Sequence, residues 1–134
     1  MKYQVSKCIG SRLRGLSRVV DNIYRKHLEG SNITEHQLSI MLALSEVGRA
    51  EQIEIGRVLH LERSSLSRNL NRLVDKKYIK KEGAVNRPII SLTKKGINKV
   101  EDLLPAWESA MDEIYRLLGA KAISSFDNFE KSFK

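Results

Sequence analysis

Apolar positions recur with helical period along most of the chain and alternate in one short stretch. From about Ser6 to Glu29 they fall at Ile9, Leu13, Leu16, Val20 and Ile23, a 4-3-4-3 spacing that lays one stripe along a first helix. Gly30 and Ser31 stop it. Thr34-Glu35-His36-Gln37 then reads as a capping box, flanked by Ile33 and Leu38 at the positions of a hydrophobic staple. A second helix is expected from about Glu35 to Val47, with Leu38, Met41, Leu42 and Leu44 facing inward. A short third helix, roughly Glu51 to Leu59, buries Ile55 and Leu59. The link His60-Leu61-Glu62 leads to a fourth, from about Arg63 to Lys77. Tyr78–Glu82 and Ile89–Leu92 read as two strands around a turn at Gly83 to Asn86, and Pro88 marks an edge strand. Thr93 caps a fifth helix with Ile97, Val100, Leu104, Trp107, Met111, Ile114 and Leu118 in heptad spacing, which Pro105 should kink or loosen locally. After Gly119 a last helix carries Ala122, Phe126, Phe129 and Phe133 on one face. The fold class is mainly α with a small two-stranded β-wing, and the first and last segments carry seams long enough to pair with another chain.

Length adds little: 134 residues make one domain. Charge adds more. Arg57 to Lys99 holds twelve Lys/Arg against three Asp/Glu, a net +9, whereas the whole chain is +8. A cationic surface confined to one third of a protein is the footprint of a polyanion, most often nucleic acid. No apolar run approaches a membrane span, and the N-terminus lacks an apolar signal core, so no membrane association is expected. The single Cys8 forbids an internal disulfide and fits a reducing, cytoplasmic setting.

The fourth helix concentrates the chemistry. On a helical wheel Leu66, Leu70, Leu73 and Val74 share one arc and anchor it. Opposite them stand Ser64, Arg68 and Arg72, flanked by Ser65, Asn71 and Asp75. Such a helix fits the major groove, where arginine pairs bidentately with guanine, while hydroxyls and the helix N-terminus take backbone phosphate. A solvated amphipathic helix would show the same wheel. Three neighbouring features favour nucleic acid: the short preceding helix with its tight link, the basic face, and the basic hairpin that follows. On or near that hairpin lie Lys80, Lys81 and Arg87; such a wing can place Arg87 over or into a minor groove, and its lysines equally guard an exposed edge.

Thr34-Glu35-His36-Gln37-Leu38, the run Leu59 to Leu70, then Leu73 and Ile79, and finally Leu92-Thr93-Lys94-Lys95-Gly96 resemble the multiple-antibiotic-resistance regulator (MarR) family in order and spacing over almost the full length. The resemblance implies a winged helix-turn-helix lobe (residues 30–96) within a single domain, 1–134. It implies dimerisation helices at 1–29 and 97–134, and a homodimer that binds double-stranded DNA at a pseudo-palindromic operator as a sequence-specific transcriptional regulator, a ligand- or stress-responsive repressor. Carried over by position, Ser64, Ser65, Ser67, Arg68 and Arg72 become recognition-helix contacts, with Ser67 ranked below Arg68; Lys80 and Arg87 serve the wing. Ile9, Leu13, Leu16, Leu104, Trp107, Met111, Phe126 and Phe129 become dimer residues. The wing departs from the family: Gly83 to Pro88 is short, lacks the usual Asp-x-Arg element, and places Asn86 where the Arg normally stands, with Arg87 one residue displaced.

The resemblance also raises Cys8 as a peroxide sensor, with Tyr24 or Tyr115 as companions. Against this, Cys8 sits half a helical turn from that branch's position; a small residue near a fraying terminus, packed or idle, is the plainer reading. A cleft for a small aromatic or anionic effector is implied, with Arg12, Arg18, Tyr24, Trp107 and Met111 as candidates; Trp107 and Met111 also fit the seam as core, so no effector site is assigned. His27, His36 and His60 form no dense ligand cluster, so no metal is expected. The chain shows no nucleophile–base pair, no phosphate-cradling glycine loop and no paired carboxylates in an apolar setting, so neither an enzyme nor a cofactor is expected. A nonspecific architectural DNA-binding protein is the alternative reading.

Overall fold

The computed structural model describes residues 3–134. A single 3-10 turn at Val5–Lys7 precedes α1 (Ile9–His27), α2 (Glu35–Val47), β1 (Arg49–Glu51), α3 (Gln52–Leu59), α4 (Arg63–Asp75), β2 (Ile79–Glu82), β3 (Ile89–Leu92) and α5 (Lys94–Lys131). The chain divides into two compact units. One is Gly30–Leu104; the other joins the residues up to Glu29 with Pro105–Lys134. No helix among the described residues is long and apolar enough to cross a membrane.

The Gly30–Leu104 unit extends past the Gly96 boundary expected from the sequence, because Val100 and Leu103 on α5 are buried. Its core gathers Leu38, Ile40, Met41 and Leu44 of α2, Ile55 of α3, Leu66, Leu70 and Leu73 of α4, and Ile79 and Ile90 of the sheet. Ile40 takes the inward place expected for Leu42, and both Leu42 and Leu59 are only half-buried. The capping box of α2 forms as the sequence predicts: Thr34 Oγ1 accepts from the Gln37 N–H at 3.2 Å, and Gln37 Oε1 accepts from the Thr34 N–H at 3.3 Å.

The wing differs from expectation. It is a three-stranded antiparallel sheet in the order β1-β3-β2, with Glu51 opposite Ile89 and Ile79 opposite Leu92. The strand after Pro88 is therefore central, not an edge. Pro88 is tolerated because it precedes the first ladder residue, so no ladder N–H is lost, and its carbonyl accepts from the Gln52 N–H at 3.3 Å. The Leu-Thr-x-x-Gly exit has a steric cause. Thr93 caps α5 by accepting the Gly96 N–H at 3.0 Å and donates to the Lys77 carbonyl. A Cβ on Gly96 would overlap the Tyr78 carbonyl, which accepts the Thr93 N–H at 3.0 Å.

In the second unit α1 buries no residue fully. Tyr24 Oη donates to Met111 Sδ at 2.8 Å, and Lys26 Nζ donates to Glu113 at 2.8 Å, with His27 Nε2 3.4 Å from the same carboxylate. Pro105 lies inside α5 and removes one backbone donor without ending the helix. A break in backbone geometry falls at Gly119, which leaves the helical region with φ 80° and ψ 165°.

Candidate nucleic-acid interface

The α3–α4 pair is joined through His60, whose φ of 54° is the left-handed conformation that turns the chain sharply; the Leu61 N–H bonds to the Gly56 carbonyl at 3.0 Å. Gly56 permits close packing, since a Cβ there would sit 3.0 Å from Leu66 Cδ2. These contacts orient α4 so that its leucines enter the core and its opposite side faces out.

Ser64, Arg68 and Arg72 are exposed on that outer side together with Asn71, and Ser65 and Ser67 are half-buried at its margins. Among the described residues, the Arg68 side chain makes no hydrogen bond or ion pair within the protein. Ser67 is committed locally: its Oγ accepts from Gln52 Nε2 at 3.0 Å. That bond joins α4 to the start of α3, on the side of the helix to which its period turns Ser67, away from Arg68.

On the wing, Lys80 Nζ pairs with Glu82 at 3.0 Å, and this cation holds the Glu82 carboxyl below its ordinary pKa through a hydrogen bond and its charge. Lys81 Nζ donates to Asn71 Oδ1 at 3.2 Å and ties β2 to α4. Arg87 Nη2 donates to both carboxylate oxygens of Glu51 on β1, each at 3.2 Å. The wing and α4 flank an open groove of about 1230 Å³ whose lining includes Gln52, Ser67, Asn71, Lys81, Asn86 and Arg87.

A buried polar group escaped the sequence reading. Asn69, 7% exposed, donates from Nδ2 to the Ser65 carbonyl at 3.0 Å and accepts from Gln37 Nε2 at 3.4 Å. Gln37 is 1% exposed, so the residue that caps α2 also braces α4. The sequence signal was the position of Asn69 beside the leucine arc. Behind it Lys76 Nζ donates to the Asn32 carbonyl at 2.6 Å. Burial, and then the positive charges of Arg72 and Lys99, push the Lys76 ammonium below its ordinary pKa.

The residues expected at a dimer seam are uneven in burial. Ile9, Leu13 and Leu16 are 54%, 42% and 62% exposed, and Phe126 and Phe129 are also exposed. Leu104, Trp107 and Met111 are half-buried. Phe129 meets Phe133 edge to face with ring centroids 5.1 Å apart. Cys8 is exposed at the start of α1. Thus the exposed α4 residues come together on one surface with the wing, and Arg87 and Lys80 already hold carboxylates of the same lobe.

A sequence model of the MarR family matches residues 31–96. No curated protein sequence matches the chain. Among solved structures, BpsR of Bordetella bronchiseptica, whose DNA binding is regulated by 6-hydroxynicotinic acid, superposes with a TM-score of 0.88 at 18% identity, over 98% of this chain and 96% of that one. A mutant MarR from E. coli complexed with operator DNA gives 0.81 at 19% identity, over 93% of this chain and 92% of the other. PcaV of Streptomyces coelicolor, in complex with its natural ligand, gives 0.83 at 17% identity, over 98% and 94%. At these identities the likeness is one of fold.

Proposed function

We propose that this chain, whose residues 31–96 match the MarR family model, is a sequence-specific DNA-binding transcriptional regulator of that family acting as a homodimeric repressor. The observation that carries this reading is the outer side of α4: Ser64, Arg68 and Arg72 stand exposed beside a cationic wing, in the third of the chain that holds a net +9. Ser64 and Ser65 take backbone phosphate near the helix start, and Arg68 and Arg72 read base edges in the major groove. Ser67, bound to Gln52, contributes less. Lys80 and Arg87 contact the flanking backbone and minor groove.

The dimer is supported by the uncovered side chains of Ile9, Leu13 and Leu16 on α1 and of Phe126 and Phe129 beyond Gly119. Leu104, Trp107 and Met111 complete that seam. Water-exposed apolar surface of this extent marks an interface. Two recognition helices about 34 Å apart would occupy successive major grooves of a pseudo-palindromic operator. BpsR, whose DNA binding is regulated by 6-hydroxynicotinic acid, and PcaV, solved with its natural ligand, support a small aromatic or anionic effector as the inducer. Such a ligand acts by binding one dimer shape better than the other.

Selection of bound fragments from genomic DNA tests the reading. Enrichment of one inverted repeat with half-site centres about 10 bp apart is expected. Even capture of all fragments at fixed salt would instead favour an architectural protein that uses charge without base readout.

A further inference from the structure

Glu51 and Gln52 are neighbours at the junction of β1 and α3, and they reach in different directions. The Glu51 carboxylate receives Arg87 Nη2 on both oxygens at 3.2 Å. Gln52 Nε2 donates to Ser67 on α4 at 3.0 Å, and its backbone N–H donates to the Pro88 carbonyl at 3.3 Å. Two adjacent residues thereby bind the wing loop on one side and the recognition helix on the other. The Lys81–Asn71 bond at 3.2 Å closes the ring from the far strand.

The ion pair is lopsided in a useful way. The Arg87 side chain is 72% exposed and its partner's 30%, so the carboxylate is seated on the sheet while the guanidinium projects outward. Among the described residues only Nη2 is engaged; the three N–H donors on Nη1 and Nε stay available for an anion or a base edge. A long side chain on a loop loses rotamer freedom when it binds, and an existing tether removes much of that cost in advance.

We propose that Glu51 is the positioning residue of the wing: with Gln52 it fixes Arg87 at a set offset from α4, so that major-groove and minor-groove readout occur in one register. This inference rests on the DNA-binding reading above and assigns to that surface a residue of negative charge, which charge complementarity alone would exclude.

The test is selection from random-sequence DNA duplexes with the full-length wild type, Glu51→Ala, Glu51→Gln, Arg87→Ala and the double Ala variant. The Glu51 side chain makes no capping bond to α3, so its removal should leave the melting temperature in place. Expected is loss of base preference outboard of the α4 half-sites in both Glu51→Ala and Arg87→Ala, with the central preference kept. Affinity for the best wild-type duplex falls about tenfold in each, and no further in the double variant. Glu51→Gln, a neutral acceptor of the same shape, falls between. Wild-type or tighter binding by Glu51→Ala would overturn the proposal, because the carboxylate would then only repel DNA. Additive losses in the double variant, or an Arg87→Ala protein with unchanged preference, would overturn it equally. A wild type that enriches no sequence fails one step earlier: it removes the DNA-binding reading itself, and this proposal with it.

Discussion

Arg68→Ala separates function from stability more cleanly than any other change in this lobe. Arg68 stands exposed on α4 and, among the described residues, its side chain makes no hydrogen bond or ion pair within the protein. Its loss should alter folding stability by less than about 0.5 kcal/mol, since Ala is also the better helix former. With an unfolding entropy of about 0.28 kcal/mol/K for 134 residues, that is a shift of under about 2 °C in Tm. The DNA term is far larger. A bidentate arginine–guanine pair contributes roughly 1–3 kcal/mol of discrimination, and a symmetric dimer makes it twice. The preference for the selected operator over scrambled DNA should fall between about thirtyfold and about 10⁴-fold. Fluorescence anisotropy on both duplexes across a salt series measures this. If Arg68 reads a base, operator preference falls while nonspecific affinity and its salt slope stay nearly unchanged. If it only meets phosphate, both duplexes weaken together and the slope drops by about 0.9 per contact. An unchanged operator preference refutes the placement of α4 in the groove. A Tm fall of several degrees refutes the claim that Arg68 is structurally idle.

Four further changes probe other parts of the molecule. Asn69→Ala leaves Gln37 Nε2 without its acceptor in a nearly dry site, a loss of about 1–3 kcal/mol visible in urea unfolding; a neutral result would show that water replaces the Asn69 oxygen. Gly96→Ala drives a methyl into the Tyr78 carbonyl and should cost about 1–3 kcal/mol by the same assay, whereas a change near zero would mean the α5 entry yields freely. Leu16→Glu places a charge on the uncovered side of α1, and sedimentation should show a shift from dimer to monomer; an unshifted dimer would move the interface elsewhere. Glu113 is held below its ordinary pKa of 4.5 chiefly by the hydrogen bond from Lys26, so its folded value lies under the unfolded one: the stability it adds is present above about pH 4.5 and lost as pH falls through the folded pKa. Glu113→Gln should flatten that acid limb, and identical limbs in the two proteins would deny the linkage.

Some of this architecture is written locally and some is not. The capping box of α2 needs only Thr34 and Gln37, three residues apart, and both of its bonds form. The outward side of α4 follows from the 3.6-residue period that sends Leu66, Leu70 and Leu73 inward. Gly119 breaks α5 because glycine enters positive φ without penalty. The strand β1 has no such local signal. Three residues, Arg49 to Glu51, become a strand only because β3 lies alongside, and that pairing makes β3 central and leaves Pro88 just outside the ladder. The polar ties share this character. Glu51 and Arg87 are 36 positions apart, and Gln37 and Asn69 are 32 apart. In sequence each shows only as a surface charge or a polar residue at a helix margin. Patterning therefore specifies which side chains face outward, while distant polar pairs specify how the outward side chains are aimed. On this logic a relative that kept Arg68 and Arg72 but lost Gln37, Glu51 and Gln52 would still bind DNA and would read it poorly, because charge attracts the duplex at any angle and base readout tolerates very few.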